Sequence, residues 1–146
     1  MTESVIKGVL AWVGGAFMYL LGGFDLLLEA MLMLMVIDYI LGITIAGVFN
    51  LSPKSCDGGL NSNVGFLGLF KKVAGILFVV VSVEMQKVTG IPGVREGVIL
   101  AITINELVSI IEHAVVMNLP VPKVLTDMVD VLRVKEKEYE EGNKRD

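Results

Sequence analysis

Five polar side chains in the segment 98–119 could do chemistry, because they interrupt an otherwise apolar stretch. They are an amide, a hydroxyl, an imidazole and two carboxylates: Asn105, Ser109, His113, Glu106 and Glu112. Such groups can bind a cation, carry a proton or hydrogen-bond to another helix. At about 100° per residue they fall within an arc of about 120° on one side of a helix. The segment therefore predicts a helix with one polar face and one apolar face.

The same segment is long enough to cross a lipid bilayer. At about 1.5 Å per residue, a helix over 98–119 is roughly 33 Å long, close to the hydrocarbon thickness of a membrane. A charged group near the bilayer centre costs on the order of 2.5 to 3.5 kcal/mol. The polar face is therefore expected to meet partner helices, a second copy of the chain, or water.

The composition is that of an integral membrane protein. The 146 residues are 54% hydrophobic and only 19% charged, whereas soluble domains are about 25% charged. A chain of this length predicts one compact helical unit without a separate catalytic domain. The formal net charge of -4 gives no reason to expect nucleic acid as a partner. The single cysteine, Cys56, excludes an intrachain disulfide and suggests a free thiol in a polar loop.

The apolar runs predict an all-α integral membrane protein with about four transmembrane helices in two hairpins. The predicted spans are 8–24, 26–49, 66–88 and 98–119, and the polar loop 50–65 separates the two hairpins. The first run only just reaches spanning length, so a three-span chain with a peripheral first helix is the alternative. A C-terminal amphipathic helix is predicted over 123–132 and a charged, solvated tail over 133–146.

The distribution of positive charge predicts the orientation. In a four-span arrangement most lysines and arginines fall on the side of the two termini, and the other side carries only Lys87 and Arg95. Because cytoplasmic loops are enriched in these residues, both termini are predicted to lie in the cytoplasm.

A carboxylate and two lysines lie inside other predicted spans. Asp38, near the middle of the second span, should be protonated, hydrogen-bonded or facing water. Two interpretations stay open for it: a structural hydrogen bond to another helix, such as to Asn105 or His113, or a role in a pore lining or a proton-linked step. Lys71 and Lys72 lie one to two turns into the third span and are expected to reach the headgroups as an interfacial anchor.

The polar residues match no common catalytic pattern. His113 is the only histidine, and no serine lies in a nucleophile-elbow sequence. Glu112 and His113 point about 100° apart on a helix, and no HExxH-like spacing occurs, so no metal site is expected. No phosphate-binding or dinucleotide-binding fingerprint is present either. We expect no enzyme activity and no cofactor.

Four segments resemble successive motifs of the phage lysis and toxin-secretion holin family (phage holin family 4). They are MVIDYILGI at 35–43, LNSNVGFLGLFKKV at 60–73, INELVSIIEHA at 104–114 and MNLPVPKVL at 117–125. The resemblance runs from about Met31 to Leu132, and 8–24 resembles an N-terminal span that varies within the family. It implies a holin membrane domain over 1–132. By position, the family's motif residues correspond to Asp38, Lys71, Lys72, Asn105, Glu106, Ser109 and Glu112.

The resemblance implies a small protein of the bacterial cytoplasmic membrane that oligomerises at a set time. The resulting lesions would release or activate an endolysin, or allow toxin export, without requiring direct contact with either. The implied partners are the lipid bilayer, further copies of the chain and an antiholin. Two alternatives stay open: an antiholin-like regulator that opens nothing itself, and a small proton-coupled transporter using Asp38 and Glu106.

Overall fold

The computed structural model describes residues 2–49 and 62–142, and the regular elements in these ranges are all helical. The helices are α1 (Thr2–Leu20), α2 (Leu26–Thr44), α3 (Ser62–Thr89), α4 (Val94–Val116) and α5 (Lys123–Gly142). A π-helical turn, Ile45–Phe49, continues α2. The all-α prediction is therefore confirmed for the described residues. Most of the predicted polar loop, including Cys56, lies outside them.

Three of these helices are long and apolar enough to cross a membrane: Leu26–Val48, Gly65–Thr89 and Val94–Val116. They correspond to the second, third and fourth predicted spans, so the chain is a membrane protein by length and composition. The predicted count of four spans is not confirmed. Helix α1 carries Glu3 in its first turn and has no buried side chain, and the three-span alternative stays open.

The number of spans also bears on orientation. If only α2, α3 and α4 cross the membrane, the segments before α2 and after α4 lie on opposite sides. Two cytoplasmic termini therefore require α1 to cross as well, and the predicted orientation stays a prediction.

The three candidate spans form an up-down-up bundle. Asp25 at the start of α2 contacts Arg95 at the start of α4, and Asp38 farther along α2 contacts His113 farther along α4, so α2 and α4 run parallel. Helix α3 runs the other way, because Lys72 in its first half lies beside Asp38 and Val83 in its second half lies beside Gly22, just before α2. The apolar core lies between these helices, nearer the Arg95 end; its buried members are Leu21, Leu28, Met31, Met35, Val79 and Ile99.

Helix α4 begins and ends earlier than the predicted span 98–119. It begins at Val94, after Gly93 with φ 84°, so Arg95 and Glu96 belong to the helix and not to the preceding turn. Asn118 has φ 56°, a left-handed backbone that ends the helix before Pro120. Arg95 at the start of α4 is buried in the bundle, whereas Glu96 is partly exposed.

Helix α5 extends through Gly142, well beyond the predicted end at Leu132. The residues after Leu132 are mostly Lys and Glu, which are strong helix formers even without an apolar face. The ring of Tyr139 lies against Gly93 and its Cβ lies near Gly97, so α5 folds back antiparallel along α4. Much of the predicted charged tail is thus helical, and residues 143–146 lie outside the described part of the chain.

Candidate functional site

A cluster of charged side chains lies between the three candidate spans, with one member from each. Lys72 of α3 donates hydrogen bonds to Asp38 Oδ2 of α2, at 2.8 Å, and to Glu106 Oε2 of α4. The three side chains are 12%, 13% and 9% exposed, respectively. We call Asp38, Lys72 and Glu106 the charged triad. It joins three helices through charges held away from solvent.

Two further polar side chains of α4 face the Asp38 carboxylate. His113 Nδ1 lies 3.1 Å from Asp38 Oδ1, and the Ser109 hydroxyl lies beside the same carboxyl group. The two close atoms, Nδ1 and Oδ1, are buried and not aligned for a hydrogen bond. The imidazole rests against Gly42, where a Cβ would lie 3.5 Å from His113 Cε1. A small residue one turn after Asp38 thus makes room for the histidine.

The triad is not electrically balanced by itself, because it has two carboxylates for one ammonium group. With both carboxylates and the ammonium group ionised, the triad carries a net charge of -1, and His113 lies beside it. Among the described residues no group of three His, Cys, Asp or Glu side chains could hold a metal ion. The chemistry that these contacts show is ion pairing between helices.

The structure divides the polar face of α4 that the sequence predicts. Glu106, Ser109 and His113 turn toward Asp38, whereas Asn105 and Glu112 are exposed. On a helix at 100° per residue, the latter two lie at one edge of the polar arc. The face is therefore half inside the bundle and half outside it.

The structure also separates the two adjacent lysines. Lys72 reaches inward to Asp38 and Glu106, whereas Lys71 is exposed. Consecutive helical residues point about 100° apart, so only one of the pair can face the bundle. The interfacial anchor stays a prediction for Lys71; Lys72 instead holds the charged triad together. Its two partners each lie 34 positions away along the chain, so no local pattern indicates them.

A second buried cation is Arg95, which lies between the third and fourth predicted spans. Its Nε donates to the carbonyl of Leu21 at 2.7 Å, its Nη2 to the carbonyl of Gly23 at 3.1 Å, and its Nη1 to Asp25 Oδ2 at 2.6 Å. The Arg95 backbone N–H donates to Gln86 Oε1 at 3.0 Å. We call these contacts of the guanidinium the arginine clasp. It joins the turn before α2 to the start of α4.

The clasp depends on the local backbone on the α2 side. Gly22 has φ 78°, and a Cβ there would lie 2.9 Å from both Cδ and Nε of Arg95. Asp25 also caps α2, because its side chain accepts a hydrogen bond from the Leu28 N–H at 2.8 Å. The hydrogen bond from Arg95 holds the pKa of Asp25 below its usual value. Asp25 is therefore ionised at neutral pH, and it both caps α2 and pairs with Arg95.

Comparison with known proteins agrees with the resemblance. Residues 15–134 match the bacteriophage holin family. An uncharacterized protein of Listeria monocytogenes is 32% identical over 145 residues, which covers 99% of this chain and 98% of the relative. An uncharacterized protein of Halalkalibacterium halodurans is 32% identical over 137 residues, covering 90% of this chain and 96% of the relative. No solved structure matches the chain. With lipid-length helices and a family match over most of its length, the chain belongs to the bacteriophage holin family.

Proposed function

We propose that the protein is a holin, which oligomerises in the bacterial cytoplasmic membrane and forms timed lesions there. The lesions would release or activate an endolysin, or let a toxin leave the cell. Family membership and three helices of lipid length support the proposal. The charged triad between those helices carries it. The triad can hold its charges within the lipid-embedded bundle and expose them to water when the chains form a lesion.

The triad explains how single chains could accumulate in a membrane without harm. An isolated carboxylate or ammonium at the bilayer centre costs about 2.5 to 3.5 kcal/mol. In the bundle, Lys72 is shared by Asp38 and Glu106, so each charge has a partner. The closed bundle is therefore a tolerable state for a chain surrounded by lipid.

The same triad provides a reason for the bundle to open only when several copies of the chain associate. Its members lie on α2, α3 and α4, so moving these helices apart separates the charges. Removing one partner from a buried ion pair costs about 3 to 5 kcal/mol, which opposes separation in lipid. Water enclosed between several copies would solvate the separated charges and remove that cost. The closed bundle and a water-lined oligomer are thus two stable arrangements of one chain.

Induced expression in bacteria tests the proposal, with membrane potential, growth and the amount of inserted protein measured together. We expect the wild-type chain to dissipate the potential and halt growth after a delay. Glu106→Gln leaves one carboxylate for one ammonium group, so the closed bundle is favoured. The membrane potential should therefore be lost later than with the wild-type chain. Glu138→Gln is the matched control, because Glu138 is exposed and lies outside the three candidate spans, and it should keep the wild-type timing.

Insertion in quantity with unchanged potential and permeability would reject the holin proposal. A chain that is innocuous alone but delays lysis by a partner holin would instead be an antiholin-like regulator. Leakage of size-graded solutes from liposomes containing the purified chain gives an independent measure of lesion formation. Saturable, pH-driven uptake of one solute would instead indicate a transporter.

A further inference from the structure

Helix α5 covers one face of α4, and the contact is closest at the start of α4. A Cβ at Gly93 would lie 2.7 Å from Cδ1 of Tyr139, and a Cβ at Gly97 would lie 3.8 Å from Cβ of Tyr139. Beside this contact a groove of about 260 Å³ runs between the helices; its other lining residues are Val94, Val98, Ala101, Glu136 and Glu140. The aromatic ring thus occupies a notch that only glycine leaves open.

This packing places α5 beside α4 over most of its length. The chain leaves α4 at Val116, begins α5 at Lys123 and brings Tyr139 back to Gly93, so the two helices form an antiparallel hairpin. Any residue near the middle of α5 therefore lies at about the same depth as the middle of α4.

The two helices differ sharply in polarity. Helix α4 is a candidate membrane span. Half of the residues of α5 are charged: Lys123, Asp127, Asp130, Arg133, Lys135, Glu136, Lys137, Glu138, Glu140 and Glu141. A helix with so many charges does not lie in hydrocarbon, because each charge would lose its hydration there. Helix α5 therefore cannot keep this position once α4 spans a bilayer.

We propose that α5 is a strap with two positions, packed on α4 before insertion and released from it when α4 crosses the membrane. The inference rests on the proposed function, because it takes α4 as a spanning helix. Release of the strap then controls how many chains insert. The Tyr139 contact with Gly93 and Gly97 is the part of the interface that holds the strap closed.

The released strap has a suitable destination on the membrane surface. Val124, Met128 and Val131 are exposed while α5 is packed on α4, and their spacing puts them along one side of the helix. An apolar strip on a highly charged helix suits the boundary between headgroups and acyl chains. In this proposal, the amphipathic pattern predicted for 123–132 binds the membrane surface after the strap has left α4.

A disulfide can report which position the strap occupies. In a Cys56→Ser background, Gly97→Cys with Tyr139→Cys places two Cβ atoms about 3.8 Å apart, which suits a disulfide. We expect rapid intramolecular cross-linking in full-length chain made by cell-free synthesis without lipid. Chain inserted into liposomes should cross-link at least about tenfold more slowly, because the closed position is then a minor state. Equal rates in the two samples would overturn the inference.

Locking the strap tests its effect on insertion. Chain oxidised before liposomes are added should yield little carbonate-resistant protein, and reduction should restore insertion. The control is the single variant Gly97→Cys in the same Cys56→Ser background, oxidised in the same way, because it carries the same change in α4 but cannot form the lock. The control should insert normally after oxidation. A locked strap that inserts as well as this control would overturn the proposal.

A third variant tests the contact without a covalent lock. Tyr139→Ala removes the ring from the notch and should speed insertion, whereas Glu138→Ala changes an exposed neighbour and should not. Equal insertion rates would show that the ring does not hold the strap. These measurements follow insertion and cross-linking, not leakage. They can therefore succeed even if the inserted chain opens no lesion, and the two proposals fail separately.

Discussion

The two buried cations of the bundle, Arg95 and Lys72, are held in different ways. Arg95 is 5% exposed and binds two backbone carbonyls and Asp25, a carboxylate that is itself 48% exposed. Lys72 binds two carboxylates that are both buried, on two other helices. The planar guanidinium matches a fixed set of acceptors, whereas an ammonium group can rotate among partners. We therefore expect the clasp to keep its contacts and the triad to exchange them when the helices move.

The surroundings of the carboxylates differ as well. The clasp has two carboxylates near one guanidinium, Asp25 at 2.6 Å and Glu96 at 3.4 Å, and their side chains are 48% and 29% exposed. The triad also has two carboxylates for one ammonium group, but these are only 13% and 9% exposed, and beside them the buried atoms Asp38 Oδ1 and His113 Nδ1 form no hydrogen bond among the described residues. Carboxylates that already reach solvent gain little from added water, whereas buried polar atoms without a partner gain more. We therefore expect only the triad to change when copies associate.

The largest effect is expected from Lys72→Met, which leaves Asp38 and Glu106 buried without their shared cation. Loss of one partner from a buried ion pair typically costs about 3 to 5 kcal/mol, so the closed bundle should be destabilised by that order. Thermal unfolding in detergent micelles measures it. Lys71→Met is the matched control, because Lys71 is exposed. If both variants unfold at the same temperature, the triad does not stabilise the bundle.

A smaller effect is expected from Gly22→Ala at the clasp. The left-handed backbone at Gly22 costs an L-residue about 1 to 2 kcal/mol, and the new Cβ would also meet Arg95 at 2.9 Å. Gly23→Ala separates the two causes, because Gly23 has φ 98° but nothing within 4 Å of its Cβ position. The loss of stability should be greater for Gly22→Ala. Equal losses would mean that the guanidinium is not held tightly against this turn.

The smallest effect is expected from Asp25→Asn, which keeps a helix-capping side chain but removes the charge that Arg95 meets. The pKa of Asp25 is lowered in the folded chain, so its charge stabilises the fold above the unfolded pKa, and this contribution disappears as the pH falls through the lowered value. Because Asp25 is half-exposed, we expect under about 1 kcal/mol at neutral pH. Unfolding of the wild type and variant across acidic pH measures it. A difference that grows on acidification would contradict the assignment.

Much of the helical framework could be predicted from the sequence. Long apolar runs between polar breaks indicate α2, α3 and α4, since a helix satisfies its own backbone in lipid. The limits were less accurate where charged residues lie inside a helix. Arg95 lies outside the predicted fourth span, yet it is in the first turn of α4, because its charge is satisfied by the turn before α2. The helical residues after Leu132 lack the apolar periodicity on which the prediction relied.

The candidate site was predictable as a set of residue types but not as an arrangement. Asp38, Glu106, Ser109 and His113 were all identified as polar groups in apolar segments, and the bundle brings them together. Their pairing with Lys72 was missed, because a lysine near a predicted helix end is usually read as an interfacial residue. No local sequence pattern links the three residues, since Lys72 lies 34 positions from each of its two partners.

The amino-acid sequence by itself determined that this is a helical membrane protein with charges inside lipid-length segments, because periodicity and hydropathy act locally along the chain. Only the tertiary structure decided which charges meet and that Lys72 turns inward and Lys71 outward. It also decided that Arg95 joins the start of α4 to the turn before α2. The physical reason is that a charge in a low-dielectric bundle depends on partners that lie far away in sequence. Helix direction and packing, which no local pattern contains, bring those partners within reach.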